Sequence, residues 1–203
     1  MKKYLWTFLA VVVAALYIWT IGLGNDLLQP SIASKILRFH VIANSDEARD
    51  QEIKEQIRDA VGAYMQPLLK DSVSITETKE IVNAHLEELV QLANEVLAEG
   101  GYDYEARALI TTTYFPEKSY GPYTFPKGDY EALQIVLGEG AGKNWWCVLY
   151  PNMCFRGSVY EVVEKDAETA LKEVLSPWEY ADVFESGNVE LRFKFLEYFT
   201  KSE

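Results

Sequence analysis

Alternating hydrophobic and polar positions predict an early strand in this chain. In the segment from Ile36 to Ala43, apolar side chains occupy every second position from Leu37 to Val41, and the polar residues Arg38 and His40 lie between them. Because successive side chains of a strand point to opposite faces, one face is apolar throughout and the other begins polar. This pattern predicts a strand near an edge or rim of a sheet.

Helical spacing of apolar residues predicts the next element. From Ile53 to Leu68, apolar side chains recur every three or four positions, with charged residues between them. The triplet Asn44-Ser45-Asp46 precedes this repeat and offers side chains suited to an N-cap. Since Pro67 lies inside the repeat, we expect the helix to end or bend near Met65.

Two further helices are predicted downstream. Thr76 is the expected cap of one helix, whose apolar stripe runs from Val82 to Val96 and whose end is expected at the Gly100-Gly101 pair. A shorter helix is expected from Asp166 to Leu175. We expect the first two helices of the chain to pack antiparallel and cover one face of a sheet.

The remaining periodicity predicts further strands. Tyr102 to Phe115 alternates loosely and predicts a long strand, whereas Ser119 to Tyr130 carries two prolines and two glycines and predicts a loop. Two apolar runs, Leu133 to Leu137 and Trp145 to Tyr150, are separated by a turn with three glycines and predict a hairpin at the sheet centre. The tail from Val189 to Phe199 fits either a strand or a helix, and we expect a strand that runs into a helical turn.

The order of these elements predicts the fold class. The sequence β-α-α-β-β-β-α indicates an α+β fold, in which a single domain has a mostly antiparallel sheet covered by two or three helices. A chain of 203 residues is long enough for one domain and short for two.

An apolar leader precedes this domain. Lys2 and Lys3 are followed by a 20-residue uncharged run from Tyr4 to Leu23, long enough to cross a bilayer as a helix. We predict a signal peptide or membrane anchor over residues 1–30 and an exported domain over residues 31–203, because the leading lysines stay cytoplasmic. The length favours a retained anchor, yet Ser31-Ile32-Ala33 offers a cleavage site, so both fates stay open.

The net charge and the two cysteines limit the partners and the covalent chemistry expected of this chain. The formal net charge of −12 argues against nucleic-acid binding, which needs clustered Lys and Arg. In an exported domain, Cys147 and Cys154 are interpreted first as a disulfide, and Pro151 and Asn152 favour a reversal between them. Free thiols, intermolecular bridging and a metal remain alternatives, although CxxC spacing for zinc is missing.

Two groups of residues invite a catalytic or ligand-binding interpretation, and neither fits well. The stretch from Gly138 to Asn144 lacks the spacing and the hydroxyl residue of a phosphate-binding loop. His40, Ser45 and Asp46 carry the residue types of a hydrolase triad but come from one short stretch. We expect His40 to hydrogen-bond Asn44 or Asp46 beside the helix cap. The sequence therefore predicts no catalytic residues, cofactor, metal site or small-molecule substrate.

Three blocks of sequence resemble the stage II sporulation protein R family. LRFHVIANSD at Leu37 to Asp46, followed by DQEIKEQIRDAV at Asp50 to Val61, resembles the family's opening. Gly121 to Phe155, which contains GEGAGKNWWCVLYPNMCF, resembles its central block, and VELRFKFLEYF at Val189 to Phe199 resembles its ending. The resemblance extends over nearly the whole predicted exported part, and these blocks are spread from its beginning to its end.

The resemblance implies a signalling protein of endospore formation. Members of the family are made in the forespore and exported into the space between the two membranes. There they trigger a membrane-embedded aspartic protease of the mother cell, which removes the pro-sequence of sigma-E. The implied partners are this protease and, through the leader, the membrane. An extracytoplasmic hydrolase and a membrane-anchored envelope-binding domain remain as alternatives.

A partner-binding surface is the remaining hypothesis for site residues. Large aromatic side chains beside a glycine-rich turn are common binding anchors, and polar residues line the predicted strand rim. The hypothesis places the protease contact on seven residues: Arg38, His40, Asn44, Asp46, Lys143, Asn144 and Trp145.

Overall fold

The structure, a computed structural model, describes residues 8, 11–13, 28–151, 153 and 164–185. A helical segment over 28–33 precedes the first strand. The elements then follow in the order β1 (Leu37–Ile42), α1 (Ala48–Leu69), α2 (Ile75–Ala84), α3 (Leu86–Glu99), β2 (Ala106–Phe115), β3 (Lys118–Tyr120), β4 (Tyr123–Phe125), β5 (Gly128–Leu137), β6 (Asn144–Tyr150), α4 (Glu164–Val174) and α5 (Pro177–Glu185).

Among the described residues, four strands form the main sheet, in the order β2-β5-β1-β6. β1 runs parallel to β5 and antiparallel to β6, and β2 runs antiparallel to β5. β3 and β4 form a separate two-stranded sheet. The α+β prediction is confirmed, but the sheet is mixed, because the pairing at its centre is parallel.

β1 is a central strand, so the prediction of an edge or rim position is wrong. Leu37, Phe39 and Val41 pack in the core formed with α1, α2 and α3, which we call the first face of the sheet. Arg38 and His40 point to the second face and are also buried, with exposed fractions of 0% and 1%. The polar side chains resembled a solvent-facing row because the sequence gives no sign of the layer that covers them.

The predicted hairpin does not form, because β1 lies between its two arms. Leu133 of β5 and Cys147 of β6 are both register partners of Phe39 in β1. Neighbouring strands lie about 4.8 Å apart, so a connection that skips one strand spans about 10 Å. The residues 138–143 can cover that distance at about 3.3 Å each. The apolar runs were correctly predicted as strands, but their pairing depends on β1.

Helix α1 continues through Pro67, so the predicted end near Met65 is wrong, whereas the alternative, a bend there, stays a prediction. Pro67 lies in the last turn of the helix, where its missing N–H removes only one hydrogen bond close to the end. Leu69, the last residue of the helix, is buried against the core. Packing of this last turn therefore continues the helix beyond the proline.

The single helix predicted after Thr76 is two helices, α2 and α3. Ser74, rather than Thr76, caps α2, since its side chain accepts a hydrogen bond of 3.1 Å from the backbone N–H of Glu77. His85 separates the helices with a φ of −118°. Its ring nitrogen Nδ1 lies 2.8 Å from the carbonyl oxygen of Ile81, which competes with continued helix hydrogen bonding.

A second layer covers the other face of the sheet. It consists of the 28–33 segment, the β3–β4 sheet, α4 and α5, and its buried apolar residues form one cluster. The helix predicted from Asp166 to Leu175 is confirmed as α4, whereas the predicted loop from Ser119 to Tyr130 contains most of β3, all of β4 and the start of β5. α5 was not predicted, although Ser176 and Glu179 form a capping box around Pro177 at the first helical position.

In the described part of the chain, none of the helices combines the length and apolar character needed to span a bilayer. The predicted leader over residues 1–30 lies mostly outside the described residues, as does the tail from Val189 to Phe199. The anchor, its cleavage and the strand expected in the tail therefore stay predictions.

Glu179 joins α5 to the segment that precedes β1. Its carboxylate accepts hydrogen bonds from the side chains of Ser31 (2.6 Å) and Lys35 (2.5 Å), as well as from the backbone N–H of Ser176 (2.6 Å). Burial opposes ionisation of this carboxyl group, but the hydrogen bonds outweigh it and lower the pKa of Glu179 from 4.5 to about 2. The ionised carboxylate therefore holds two parts of the second layer together.

We expect Glu179→Gln to weaken the fold near neutral pH and to remove part of its acid sensitivity. Because the folded-state pKa lies below the unfolded one, the carboxylate stabilises the fold above about pH 4.5, and this contribution is lost as the pH falls towards 2. The contribution is up to about 3 kcal/mol. Urea unfolding at pH 7 and pH 3 measures it, and an unchanged pH dependence in the variant would contradict it.

Candidate functional site

The connection between β5 and β6 crosses the end of β1 and binds the residues that follow that strand. The backbone N–H of Gly142 donates to the carbonyl oxygen of Ala43 at 2.9 Å, and that of Ala141 donates to the carbonyl oxygen of Asn44 at 3.1 Å. We call the two contacting segments, residues 43–46 and 138–144, the junction. It brings together two stretches that lie about 95 residues apart in the sequence.

Side chains of the first segment also bind the backbone of the second. The side-chain oxygen Oδ1 of Asn44 accepts a hydrogen bond of 2.9 Å from the backbone N–H of Glu139. The carboxylate of Asp46 accepts one of 2.8 Å from the backbone N–H of Lys143. The two acceptors are two residues apart just after β1, and their donors, Glu139 and Lys143, lie near the two ends of the crossing connection, so the connection is held along most of its length.

Glycines in the connection permit this close approach. Gly138 has a φ of +53°, and a Cβ atom there would lie 2.3 Å from Oδ1 of Asn44. A Cβ atom on Gly142 would lie 2.2 Å from the carbonyl oxygen of Ser45. The glycine-rich stretch is therefore shaped for contact with the end of β1, and its predicted role as a hairpin turn is wrong.

Asp50, in the first turn of α1, anchors the junction to the helix. Its carboxylate accepts hydrogen bonds from Asn44 Nδ2 (2.8 Å), Ser45 Oγ (2.7 Å) and the hydroxyl of Tyr104 (2.8 Å). Burial raises the pKa of Asp50, but these hydrogen bonds outweigh it and lower the pKa. The side chain is therefore an ionised acceptor that ties together the ends of β1, α1 and the segment before β2.

The predicted capping role of Asn44-Ser45-Asp46 is wrong in its detail. Glu47 occupies the N-cap position of α1 and makes no side-chain capping bond. Asn44 and Ser45 direct their side chains to Asp50 instead, and the sequence offered no signal for this beyond an acidic residue in the first turn. Because Ser45 is hydrogen-bonded to a carboxylate and not to a histidine, the geometry gives no support for a hydrolase triad.

Arg38 is a buried cation surrounded by aromatic rings. Its guanidinium carbon lies 4.5 Å from the ring centre of Phe115, 5.7 Å from that of Tyr120, 5.2 Å from that of Phe125 and 5.1 Å from that of Tyr130. Nη2 donates to the hydroxyl of Tyr120 at 3.0 Å, whereas Nε and Nη1 make no hydrogen bond in the described part of the chain. Burial lowers the pKa of Arg38. Cation–π contacts therefore hold this side chain in the second layer.

His40 is buried beside it and does not bind the 44–46 segment as expected. Its ring stacks on Trp146 with centres 4.9 Å apart and lies 5.2 Å from the ring centre of Phe115. Neither ring nitrogen has a hydrogen-bond partner in the described part of the chain. Burial, and then the positive charge of Arg38, lower the pKa of His40 from 6.5 to about 4. The ring is therefore neutral at pH 7 and belongs to the aromatic core.

Trp145 supports the junction from the first face of the sheet. Its ring meets that of Phe39 edge-on, with centres 5.5 Å apart, and the guanidinium of Arg58 lies 5.3 Å from its ring centre. Trp145 and Asn144 are half-buried. Trp145 therefore contributes to the core as well as to the surface.

The seven residues of the partner-binding hypothesis fall into two groups. Asn44, Asp46 and the Lys143–Trp145 stretch meet at the junction, where Asp46 and Lys143 are exposed. Arg38 and His40 are enclosed by the second layer. Burial excludes a direct contact of these two side chains with a partner unless the second layer opens, and binding by the others stays a prediction.

Cys147 is not a free thiol in the structure. Its predicted partner Cys154 lies outside the described residues, so the pairing stays a prediction. Among the described residues, no group of three or more His, Cys, Asp or Glu side chains is placed to hold a metal ion.

We expect Gly138→Ala to destabilise the fold more than Gly121→Ala. Both glycines have a positive φ, +53° and +58°, so both variants bear the left-handed strain of about 1–2 kcal/mol. Only at Gly138 does the new methyl group meet a neighbour, because nothing lies within 4 Å at Gly121. The free energy of unfolding of each variant is measured by chemical denaturation, and the difference between the two variants gives the cost of the contact at the junction. Equal losses of unfolding free energy would contradict the prediction.

We expect His40→Phe to flatten the stability profile between pH 4 and pH 6.5. The folded-state pKa of about 4 lies below the unfolded value of 6.5, so the unfolded chain binds the proton first, and stability falls as the pH drops through this window. The wild-type loss is roughly 3 kcal/mol. Phenylalanine keeps the ring contacts but cannot titrate. The free energy of unfolding of the wild type and of His40→Phe is measured by denaturation at pH 4 and pH 6.5. An equal change of this free energy with pH in both proteins would contradict the prediction.

Comparison with known proteins agrees with the motifs gathered at the junction. The family described as Stage II sporulation protein R matches residues 33–160, which include β1, the junction and β6. The chain is also similar to Stage II sporulation protein R of Bacillus subtilis (strain 168), with 34% identity over 181 residues, which cover 82% of this chain and 81% of the relative. No solved structure matches. The chain therefore belongs to the stage II sporulation protein R family.

Proposed function

We propose that this chain is an exported signal of endospore formation that activates a membrane-embedded protease of the mother cell. In this proposal the forespore makes the protein, the apolar leader carries it across the forespore membrane, and the domain acts in the space between the two membranes. The activated aspartic protease then removes the pro-sequence of sigma-E. The protein acts by contact and performs no catalysis itself.

Family membership over residues 33–160 is the observation that carries the proposal. It supports a role in sporulation, and the leader of Tyr4 to Leu23 supports export. A predicted disulfide between Cys147 and Cys154 suits the same compartment.

The junction is the surface we propose for contact with the protease. Asp46 and Lys143 expose opposite charges there, and Asn144 and Trp145 lie directly beside them. The backbone on both sides is fixed by hydrogen bonds to residues 43–46 and, through Asp50, to α1. A rigid surface with a half-buried tryptophan and charges at its margin suits protein recognition, because little conformational entropy is lost on binding.

We expect the double variant Asp46→Asn/Lys143→Gln to activate the protease about tenfold less well than the wild type. Asparagine retains an oxygen that can accept the backbone N–H of Lys143, so the junction keeps its shape while both charges disappear. Loss of about 1.4 kcal/mol of binding corresponds to a tenfold effect. The measurement is the rate of pro-sigma-E cleavage in sporulating cells that carry the variant as their only copy.

A matched control removes the same two charges elsewhere. Lys70 and Asp71 are exposed just beyond the far end of α1, a helix of 22 residues and hence about 33 Å long. We expect Lys70→Gln/Asp71→Asn to leave cleavage unchanged. If cells that carry the junction variant, at equal protein level and equal stability, cleave pro-sigma-E at the wild-type rate, the junction is not part of the interface. Failure of the wild type itself to restore cleavage in a deletion strain would reject the function.

A further inference from the structure

In the part of the chain that the structure describes, one long edge of the main sheet has no partner strand. β2 is the outermost strand at one side of the sheet and spans Ala106–Phe115. It pairs with β5 in an unbroken antiparallel register from Ala106 opposite Leu137 to Phe115 opposite Gly128. Such a regular edge presents a row of backbone groups to its surroundings.

The register shows which backbone groups face outward. The N–H of Gly138, the residue that follows β5, donates to the carbonyl oxygen of Glu105, so the carbonyl of Glu105 points towards the β5 side. The N–H of the next residue, Ala106, points away from β5 and donates to the side chain of Asn94 in α3 at 2.7 Å. Because the hydrogen-bonding direction alternates along an antiparallel strand, every second residue after Ala106 also faces outward.

The outward row beyond Ala106 is free in the described part of the chain. Its members each present an N–H and a C=O that form no backbone hydrogen bond there: Ala108, Ile110, Thr112 and Tyr114. The side chains along the edge are accessible as well, since Leu109 is 38% exposed and Tyr114 is 57% exposed.

β2 lacks the features that usually protect an edge strand from pairing. Proteins block such edges with proline, bulges or several charged side chains. The sequence ARALITTTYF contains no proline, its register shows no bulge, and its one charged residue is Arg107 at the junction end. The stretch from Ala108 to Phe115 is uncharged and rich in β-branched residues, which favour strand pairing.

We propose that β2 is a docking edge to which an extended segment of the membrane protease adds as a further strand. The partner segment is extended and not acidic, and it carries apolar side chains at alternate positions, which lie beside Leu109 on one face and Tyr114 on the other. A second copy suits the edge less well, because the chain has a formal net charge of −12 and two copies therefore repel each other. This inference rests on the proposed function and specifies how the contact is made.

Thr112→Pro tests the proposal, with Thr112→Val as its matched control. Proline removes the outward N–H of Thr112 but no hydrogen bond to β5, and prolines are tolerated on edge strands in this orientation. Valine removes the hydroxyl and keeps the N–H. We expect proline to reduce pro-sigma-E cleavage at least tenfold and valine to leave it unchanged, with both proteins exported at wild-type level. Wild-type cleavage with Thr112→Pro would overturn the proposal.

Hydrogen exchange on the wild-type protein provides a test that needs no variant. In the free protein, the amides of Ile110 and Thr112 should exchange fast and those of Leu109 and Thr111 slowly, in alternation. Adding the detergent-solubilised protease should slow exchange at Ile110 and Thr112 at least tenfold. Unchanged exchange while the wild type still activates cleavage would overturn the docking edge and leave the proposed function intact.

Self-association through the β2 edge must be distinguished from docking of the protease. If sedimentation shows that the wild type is a dimer and that Thr112→Pro is a monomer, the edge binds a second copy of this chain. That result would overturn the proposal. If the wild type itself fails to promote cleavage, the proposed function is rejected. Failure of the proposed function is therefore distinguishable from failure of the docking edge alone.

Discussion

The insertion of β1 between β5 and β6 is the constraint on which the rest of the structure depends. It forces the connection of residues 138–143 to cross the end of β1, and that crossing is held by backbone hydrogen bonds to Ala43 and Asn44. Glycine is needed where the two backbones approach, and polar side chains are needed to satisfy the crossing N–H groups. Residues 43–46 and residues 138–144 are therefore distinctive in sequence because they contact each other at the junction.

A second consequence of the central position of β1 is that both of its faces must be covered. α1, α2 and α3 cover the apolar face, and the second layer encloses Arg38 and His40. A buried guanidinium without a carboxylate partner is costly unless other groups replace its hydration. Here the rings of Phe115, Tyr120, Phe125 and Tyr130 surround it, so the β3–β4 sheet and Arg38 stabilise each other.

The two proposed contact surfaces are neighbours on the same sheet. β2 begins where β5 ends, and Arg107 Nη2 donates to the carbonyl oxygen of Gly138 at 3.3 Å, so the open edge starts beside the junction. The charged junction and the uncharged edge can therefore be contacted by one partner. The junction would supply side-chain recognition, and the edge would supply backbone hydrogen bonds. This division suits the proposed role as a signal that acts by contact.

The sequence by itself determined the local elements and the family. Period-two spacing identified β1 and β2, and helical spacing identified α1 and α4, because these patterns record which side chains of one segment share a face. Short apolar runs on either side of a glycine-rich turn identified β5 and β6. The unusual strings around Asn44 and Gly138 were enough to recognise the family. The tail, the leader and the pairing of Cys147 lie outside what the structure describes, and they rest on the sequence alone.

Only the tertiary structure decided which segments meet. Strand order follows from pairings between residues about 100 positions apart, such as Phe39 with Leu133, and no local pattern reports them. The same holds for the burial of Arg38 and His40, because a polar side chain on a strand is the same in sequence whether water or a second layer covers it. The role of Asp50 likewise depends on Tyr104, which reaches it from a distant part of the chain. Periodicity defines the faces of each element, and packing alone determines what lies against them.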